Sequence, residues 1–358
     1  MGAMASTGRA VVTEDLDRIL ALDLPWERFA GRTVLVAGAA GYLAAYLVET
    51  LLRWNDTHAQ AQGRKPVRVA ALVRREEAAR ERFAQHLDRA DLDLLIQDVR
   101  EPIRLDGPAH FVVHAAGPGT PRAFGRDPLG TFEANVLGAR NLLELAARRG
   151  AEGFLLLSSG EVYGLGNDTV VPTHEDAFGY LDPAQVRACY GEGKRAAETL
   201  CACYAAVRAV PAAMARIWHT YGPGMPLGDG RVFSDLVADV LAGRDLVLHS
   251  DGRASRAFAY LADTTAGLFT VLLKGRPGTA YNVGNDRAEL TVLALAELLA
   301  GLDPSLGLAV RRAPREDGDY LPSPIQRGCP DVTRLRALGW EPRIAPPEGF
   351  DRTIRSFR

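Results

Sequence analysis

Tyr190-Gly-Glu-Gly-Lys194 sets a phenol and an ammonium four residues apart, on one face of a helix. A free phenol titrates near pKa ~10 and is a poor base at neutral pH. A nearby cation favours the phenolate, so Lys194 would let Tyr190 take a hydroxyl proton while a hydride leaves the same carbon. Two glycines inside that helix each cost roughly 1 kcal/mol relative to alanine. They make sense if a cofactor or another helix packs closely there. A second group of reactive residues, Ser158-Ser159-Gly160-Glu161, closes a strand-like run over 154–158.

These groups need a scaffold, and the apolar pattern supplies one. Residues 33–37 form a strand-length run, followed by a helical pattern over 42–54. Further strand-like runs cover 67–73, 92–97 and 111–115, alternating with helical stretches over 76–90 and 129–149. Apolar strands alternating with amphipathic helices call for an α/β fold, a parallel sheet covered on both faces. Between the first strand and helix lies Gly38-Ala-Ala-Gly41-Tyr42-Leu43-Ala44. Its small residues allow a tight turn and close approach to a pyrophosphate, which then sits on the helix N-terminus. The second strand ends Ala71-Leu-Val-Arg74-Arg75, without the carboxylate that usually holds a ribose 2′-hydroxyl. Arg74 suits a 2′-phosphate by charge and fork geometry, or is simply a solvated arginine. NAD and NADP both stay open.

Composition excludes several other classes. The chain has 358 residues, 47% hydrophobic and 24% charged, with a formal charge of −2 and the two signs interleaved. That is ordinary for a globular protein and offers no basic face for nucleic acid. No apolar run reaches membrane-spanning length. Met1-Gly-Ala-Met4-Ala-Ser lacks the pattern of a secretory signal, and its second methionine suggests added residues before a native start. Cys189, Cys201, Cys203 and Cys329 have neither metal-site spacing nor the density of a disulfide framework. No metal is expected, and the cytoplasm is the expected compartment. Residues 1–10 read as added residues and a flexible tail, and 11–30 as a helix and connector. The dinucleotide-binding unit is expected over 31–221, with 250–268 returning to it. A smaller lobe is expected over 222–249 and 269–358.

The glycine spacing of three and three, counting Ala44 as the last small residue, resembles that of the extended short-chain dehydrogenase/reductases, the NAD-dependent epimerase/dehydratase group. The resemblance runs through nearly the whole chain. It implies a Rossmann-type doubly wound parallel sheet with a smaller C-terminal α/β substrate lobe, and a cofactor held by Gly38, Gly41, Tyr42 and Leu43. Asp98-Val99 is similar to the adenine contact of that family. His114-Ala115-Ala116-Gly117 is similar to the strand end beneath the nicotinamide ribose, and Asn135 to the helix asparagine. Ser159, Tyr190 and Lys194 match the catalytic set, with Ser159 positioning a sugar 4-hydroxyl and Lys194 also holding the ribose. Arg216-Ile-Trp-His219-Thr-Tyr221-Gly-Pro223 resembles the strand and loop before the nucleotide pocket, with His219 where asparagine is usual. Asp229-Gly-Arg231-Val232-Phe233 is close to the decarboxylase-like segment that covers the nucleotide, and Gly224 replaces an arginine common in that subgroup. Arg256 resembles the arginine that grips the diphosphate.

The resemblance leaves the reaction open at Gly160 and Glu161. Related 4,6-dehydratases carry an acidic pair there, decarboxylases of UDP-glucuronate carry Ser-Glu, and 4-epimerases carry small or neutral residues. Glu161 is either a base or a structural carboxylate bonding backbone N–H groups. The expectation is a nucleotide-sugar 4-epimerase that oxidises C4 transiently. The alternatives are a 4,6-dehydratase or UDP-glucuronate decarboxylase, or a sensor of this fold without turnover. The expected partners are a nucleotide-diphosphate sugar, with Gly160 beside it, and a second copy paired through the helices of Asn135 and Tyr190.

Overall fold

The computed structural model describes residues 6–165, 170–313 and 326–358. The chain opens with helix α1 (Ser6–Leu20), then β1 (Thr33–Ala37), α2 (Tyr42–Trp54), β2 (Arg68–Val73), α3 (Glu76–Arg82) and β3 (Leu92–Ile96). Next come β4 (Phe111–His114), α4 (Pro121–Arg126), α5 (Pro128–Arg149), β5 (Gly153–Ser159), α6 (Ala188–Arg208), β6 (Ala212–Ile217) and β7 (His219–Tyr221). The remainder is α7 (Val232–Leu241), β8 (Leu246–Leu248), β9 (Ser255–Tyr260), α8 (Leu261–Lys274), β10 (Ala280–Val283), β11 (Glu289–Thr291) and α9 (Val292–Gly301). It ends with β12 (Val310–Arg312), β13 (Arg327–Gly328), α10 (Thr333–Arg336) and α11 (Pro346–Arg355).

Seven parallel strands form the main sheet in the order β3-β2-β1-β4-β5-β6-β10. Strand order reverses between β1 and β4, the switch point where doubly wound sheets open a crevice at their carboxyl ends. Alternate residues of each strand enter opposite cores. Val34, Val36, Phe111, Val113, Leu155 and Leu157 pack with α2 and α8. Leu35, Ala37, Val112, Phe154 and Leu156 pack with α5 and α6. The period of two explains why these strands read as unbroken apolar runs: both faces are buried.

A smaller sheet joins β7, β9, β11 and β13, and β8 pairs with β12. Four boundaries differ from the sequence reading. Helix α1 already starts at Ser6, within the span read as a flexible tail; residues 1–5 lie outside the described residues. Over 250–268 the strand β9 belongs to the smaller sheet, and it is α8 that packs back on β5 and β6. β10 falls within the span given to the lobe, yet its four residues are buried as the edge strand beside β6. The helix expected over 76–90 stops at Arg82, because Phe83 leaves helical geometry to enter the core. Among the described residues no helix is long and apolar enough to cross a membrane.

Candidate active site

The cofactor turn is shaped by backbone contact. Gly38 has φ +77°, and a Cβ there would lie 2.7 Å from Ala116 Cα and 2.8 Å from the Ala115 carbonyl oxygen. Only glycine fits this turn, which closes β1 onto the end of β4. Ala115 N–H donates to Ala37 O across the same junction. Gly41 then caps α2 in extended geometry, with no side-chain cap and no acid in the first turn. The N–H groups that begin with Tyr42 and Leu43 therefore face the crevice, a fitting seat for a pyrophosphate. The residues present fit a dinucleotide. Tyr42 carries a buried hydroxyl beside Gly222, with no partner among the described residues.

Gly117, at φ +129°, sits against Asn135, whose Oδ1 would be 3.2 Å from an added Cβ. Asn135 donates Nδ2 to Thr131 O at 2.8 Å, while its buried Oδ1 has no partner among the described residues. Val99 is buried against Gly138 of α5. Asp98 accepts from Arg100 at 2.8 Å, which holds its carboxyl below the usual carboxylate range. Arg74 is exposed at the end of β2 and adds to that lowering.

The catalytic set assembles between the end of β5 and the first turns of α6. Ser159 hydrogen-bonds Tyr190 and also accepts the Glu161 N–H at 3.2 Å. Burial pushes the Tyr190 phenol up to about 12, opposed by the Ser159 hydrogen bond; Glu161 raises it further, and Arg187 and Arg231 lower it. Lys194 lies beside Tyr190. Its Nζ donates to Leu157 O at 2.7 Å and lies 5.7 Å from the Tyr190 ring centroid. Burial brings Lys194 down to about 8, against the pull of Glu198. Arg187 and Arg231 are further cations acting on Tyr190. The two helix glycines admit neighbours: Gly191 meets Leu181, and Gly193 meets Asn135 and Phe132 of α5.

Two residues missed in the sequence complete this corner. Phe124 of α4 stacks on Tyr190 with centroids 4.5 Å apart and planes at 18°. Arg187 lies 5.3 Å over the Phe124 ring and reaches Glu161 at 3.3 Å. Glu161 is thus a side-chain ion partner in addition to following Ser159. Arg187 stands three residues before Tyr190, so helical spacing could have found it; Phe124 comes from a separate element with no motif around it. Gly160 lies over Trp218, whose ring would be 3.4 Å from an added Cβ.

Beneath the site, Ser158 donates to Glu198 at 2.6 Å and Arg216 pairs with Glu198 at 2.7 Å, both buried. This fixes β5 to α6 and therefore Ser159 to Tyr190. On the lobe side His219 packs among Phe233 and Phe258. Burial, with Arg256 and Arg231 nearby, holds it down to about 3. A neutral packed imidazole results. Arg231 precedes Val232 at the start of α7 and pairs with Asp229 at 2.6 Å. Arg256 donates to Ser255 O at 2.7 Å and Gln326 O at 3.3 Å.

The sequence profile of the NAD dependent epimerase/dehydratase family matches residues 34–284. The chain belongs to that family. Among this epimerase/dehydratase's relatives is UDP-glucuronic acid decarboxylase 2 of Arabidopsis thaliana, 34% identical over 92% of this chain and 68% of that one. UDP-glucuronic acid decarboxylase 1 of Danio rerio is 33% identical over 91% and 72%. An epimerase of Methanothermobacter thermautotrophicus shares the fold at TM-score 0.78 and 22% identity, over 93% of this chain and 94% of that one. The Streptomyces venezuelae dTDP-glucose 4,6-dehydratase DesIV, with NAD and TYD bound, superposes at TM-score 0.74 and 25% identity, over 91% and 97%.

Proposed function

We propose that this enzyme oxidises a nucleotide-activated uronic acid at C4 and then releases its C6 carboxylate as carbon dioxide. The observation that carries the reading is the meeting of Ser159, Glu161, Tyr190 and Arg187 at the carboxyl end of β5. The decarboxylase relatives support the same outcome. They move the reading away from the 4-epimerase expected from Gly160.

Ser159 holds the sugar 4-hydroxyl against Tyr190, which takes its proton. Bound NAD would accept and return the C4 hydride, and its positive ring would add to the cations favouring the Tyr190 phenolate. The C4 ketone stands β to the carboxylate. The C5–C6 bond then breaks, its electron pair moving to the C4 oxygen held by Tyr190 and Ser159. Water supplies a proton to C5 by way of the Glu161 carboxylate, and Tyr190 returns the first proton to the C4 oxygen. Lys194 and Asn135 face the cofactor side of the same corner. Arg256, Arg231 and His219 shape the side that would receive the nucleotide diphosphate.

A second reading, net 4-epimerisation, rests on Gly160, which offers the sugar no acidic or hydroxyl side chain. Incubation with NAD and UDP-glucuronic acid separates the two. A UDP-pentose with release of carbon dioxide is expected; a product of unchanged mass would favour epimerisation. We also propose a homodimer through α5 and α6, which leave Leu129 and Val207 75% and 80% exposed. Sedimentation at monomer mass would refute that pairing.

A further inference from the structure

We propose that Arg187 selects the sugar, by taking the C6 carboxylate of the substrate on its guanidinium edge. The inference rests on the uronic acid reading above. In a hexopyranose, C6 is two bonds from C4. With the 4-hydroxyl between Ser159 and Tyr190, the C6 substituent must settle among the side chains next to the phenol. Three charged groups act on Tyr190 from there: Glu161, Arg187 and Arg231. Glu161 repels an anion. Arg231 is bound closely by Asp229 at 2.6 Å, with its guanidinium 4.8 Å over the Phe233 ring. Lys194, also near the phenol, gives a hydrogen bond to the Leu157 carbonyl at 2.7 Å, which leaves Arg187.

Its setting suits the task. Phe124 supports the flat face of the guanidinium at 5.3 Å and stacks in turn on Tyr190, so the cation is held in register with the phenol. Only Nη2 meets Glu161 among the described residues, at 3.3 and 3.4 Å from its two oxygens. That is looser than the 2.7 Å of the buried Arg216–Glu198 pair and longer than charge-assisted bonds normally are. Arginine carries five donors in a planar fork, so the Nε–Nη1 edge is available for a second carboxylate. The Arg187 side chain is 30% exposed, open enough to be reached and sheltered enough to be felt.

The test is ligand binding, in the NAD-loaded protein with turnover blocked by Tyr190→Phe. Calorimetry compares UDP-glucuronic acid with UDP-glucose, which has a neutral C6. The parent is expected to favour the uronic acid by roughly tenfold or more, the worth of charge-assisted hydrogen bonds. Adding Arg187→Gln should bring the ratio to about one, with UDP-glucose affinity held within about twofold as the check on folding. Arg187→Lys should restore part of the preference, since it keeps the charge and loses the fork. Preference retained in Arg187→Gln overturns the proposal and leaves the uronic acid reading standing. Equal loss of both ligands makes Arg187 structural and also overturns it. No preference in the parent removes the uronic acid reading itself.

Discussion

Two buried polar clusters lie at opposite ends of the substrate question. Around Asp15, on α1, every capacity is met. Its carboxylate accepts from Tyr46 at 3.2 Å, Tyr260 at 2.7 Å and Arg352 at 2.6 Å, and it has no exposed surface. This latch ties the first helix to α2, β9 and α11. At the carboxyl end of the main sheet the buried Asn135 Oδ1 and His219 Nδ1 have no partner among the described residues. Leaving buried polar atoms unpaired costs roughly 1–3 kcal/mol each. The latch uses its polar groups to hold elements together, whereas the site keeps its own unmet where a ligand is expected to meet them.

Tyr190→Phe should lower turnover by on the order of 10²–10⁴-fold, with melting temperature and cofactor binding kept; a small loss of rate would remove Tyr190 as the base. At the latch, Arg352→Met leaves Asp15 buried without its cation. It should cost roughly 3–5 kcal/mol in urea unfolding, while the Kd for NAD stays unchanged. A shift in NAD affinity would show that the two clusters are one. Gly38→Ala forces a side chain into a positive-φ turn against Ala116, and should cost roughly 1–3 kcal/mol and weaken NAD binding in fluorescence titration.

The smallest effect sharpens the contrast. Lys194 is held down to about 8 by burial, below the ~10.4 of an unfolded chain. Between those values the unfolded state binds more protons, so stability should rise with pH by up to roughly 1.4 kcal/mol per unit. Lys194→Met should lack this rise when melting is followed from pH 8 to pH 10. An identical slope in both proteins would show that Lys194 stays fully charged.

Local chemistry made much of this legible. Gly38, Gly41 and the Tyr190–Lys194 spacing are short-range patterns, and each stands at the element end its spacing demands. The main strands show because both faces are buried, so apolar runs mark them. What escaped depends on distant partners. Phe124 joins the site only when α4 folds over α6, and Arg187 matters only because it meets Glu161 and Phe124 together. β10 looked like lobe because its pairing with β6 spans more than sixty residues of chain. The tether of Lys194 escaped because its acceptor, Leu157 O, is a backbone atom that no side-chain motif announces.

The most direct measurement is proton NMR of UDP-glucuronic acid turned over with NAD in D2O. A UDP-pentose carrying deuterium at C5 is expected, with no net reduction of NAD. A UDP-uronic acid inverted at C4, of unchanged carbon count and without deuterium at C5, would contradict it.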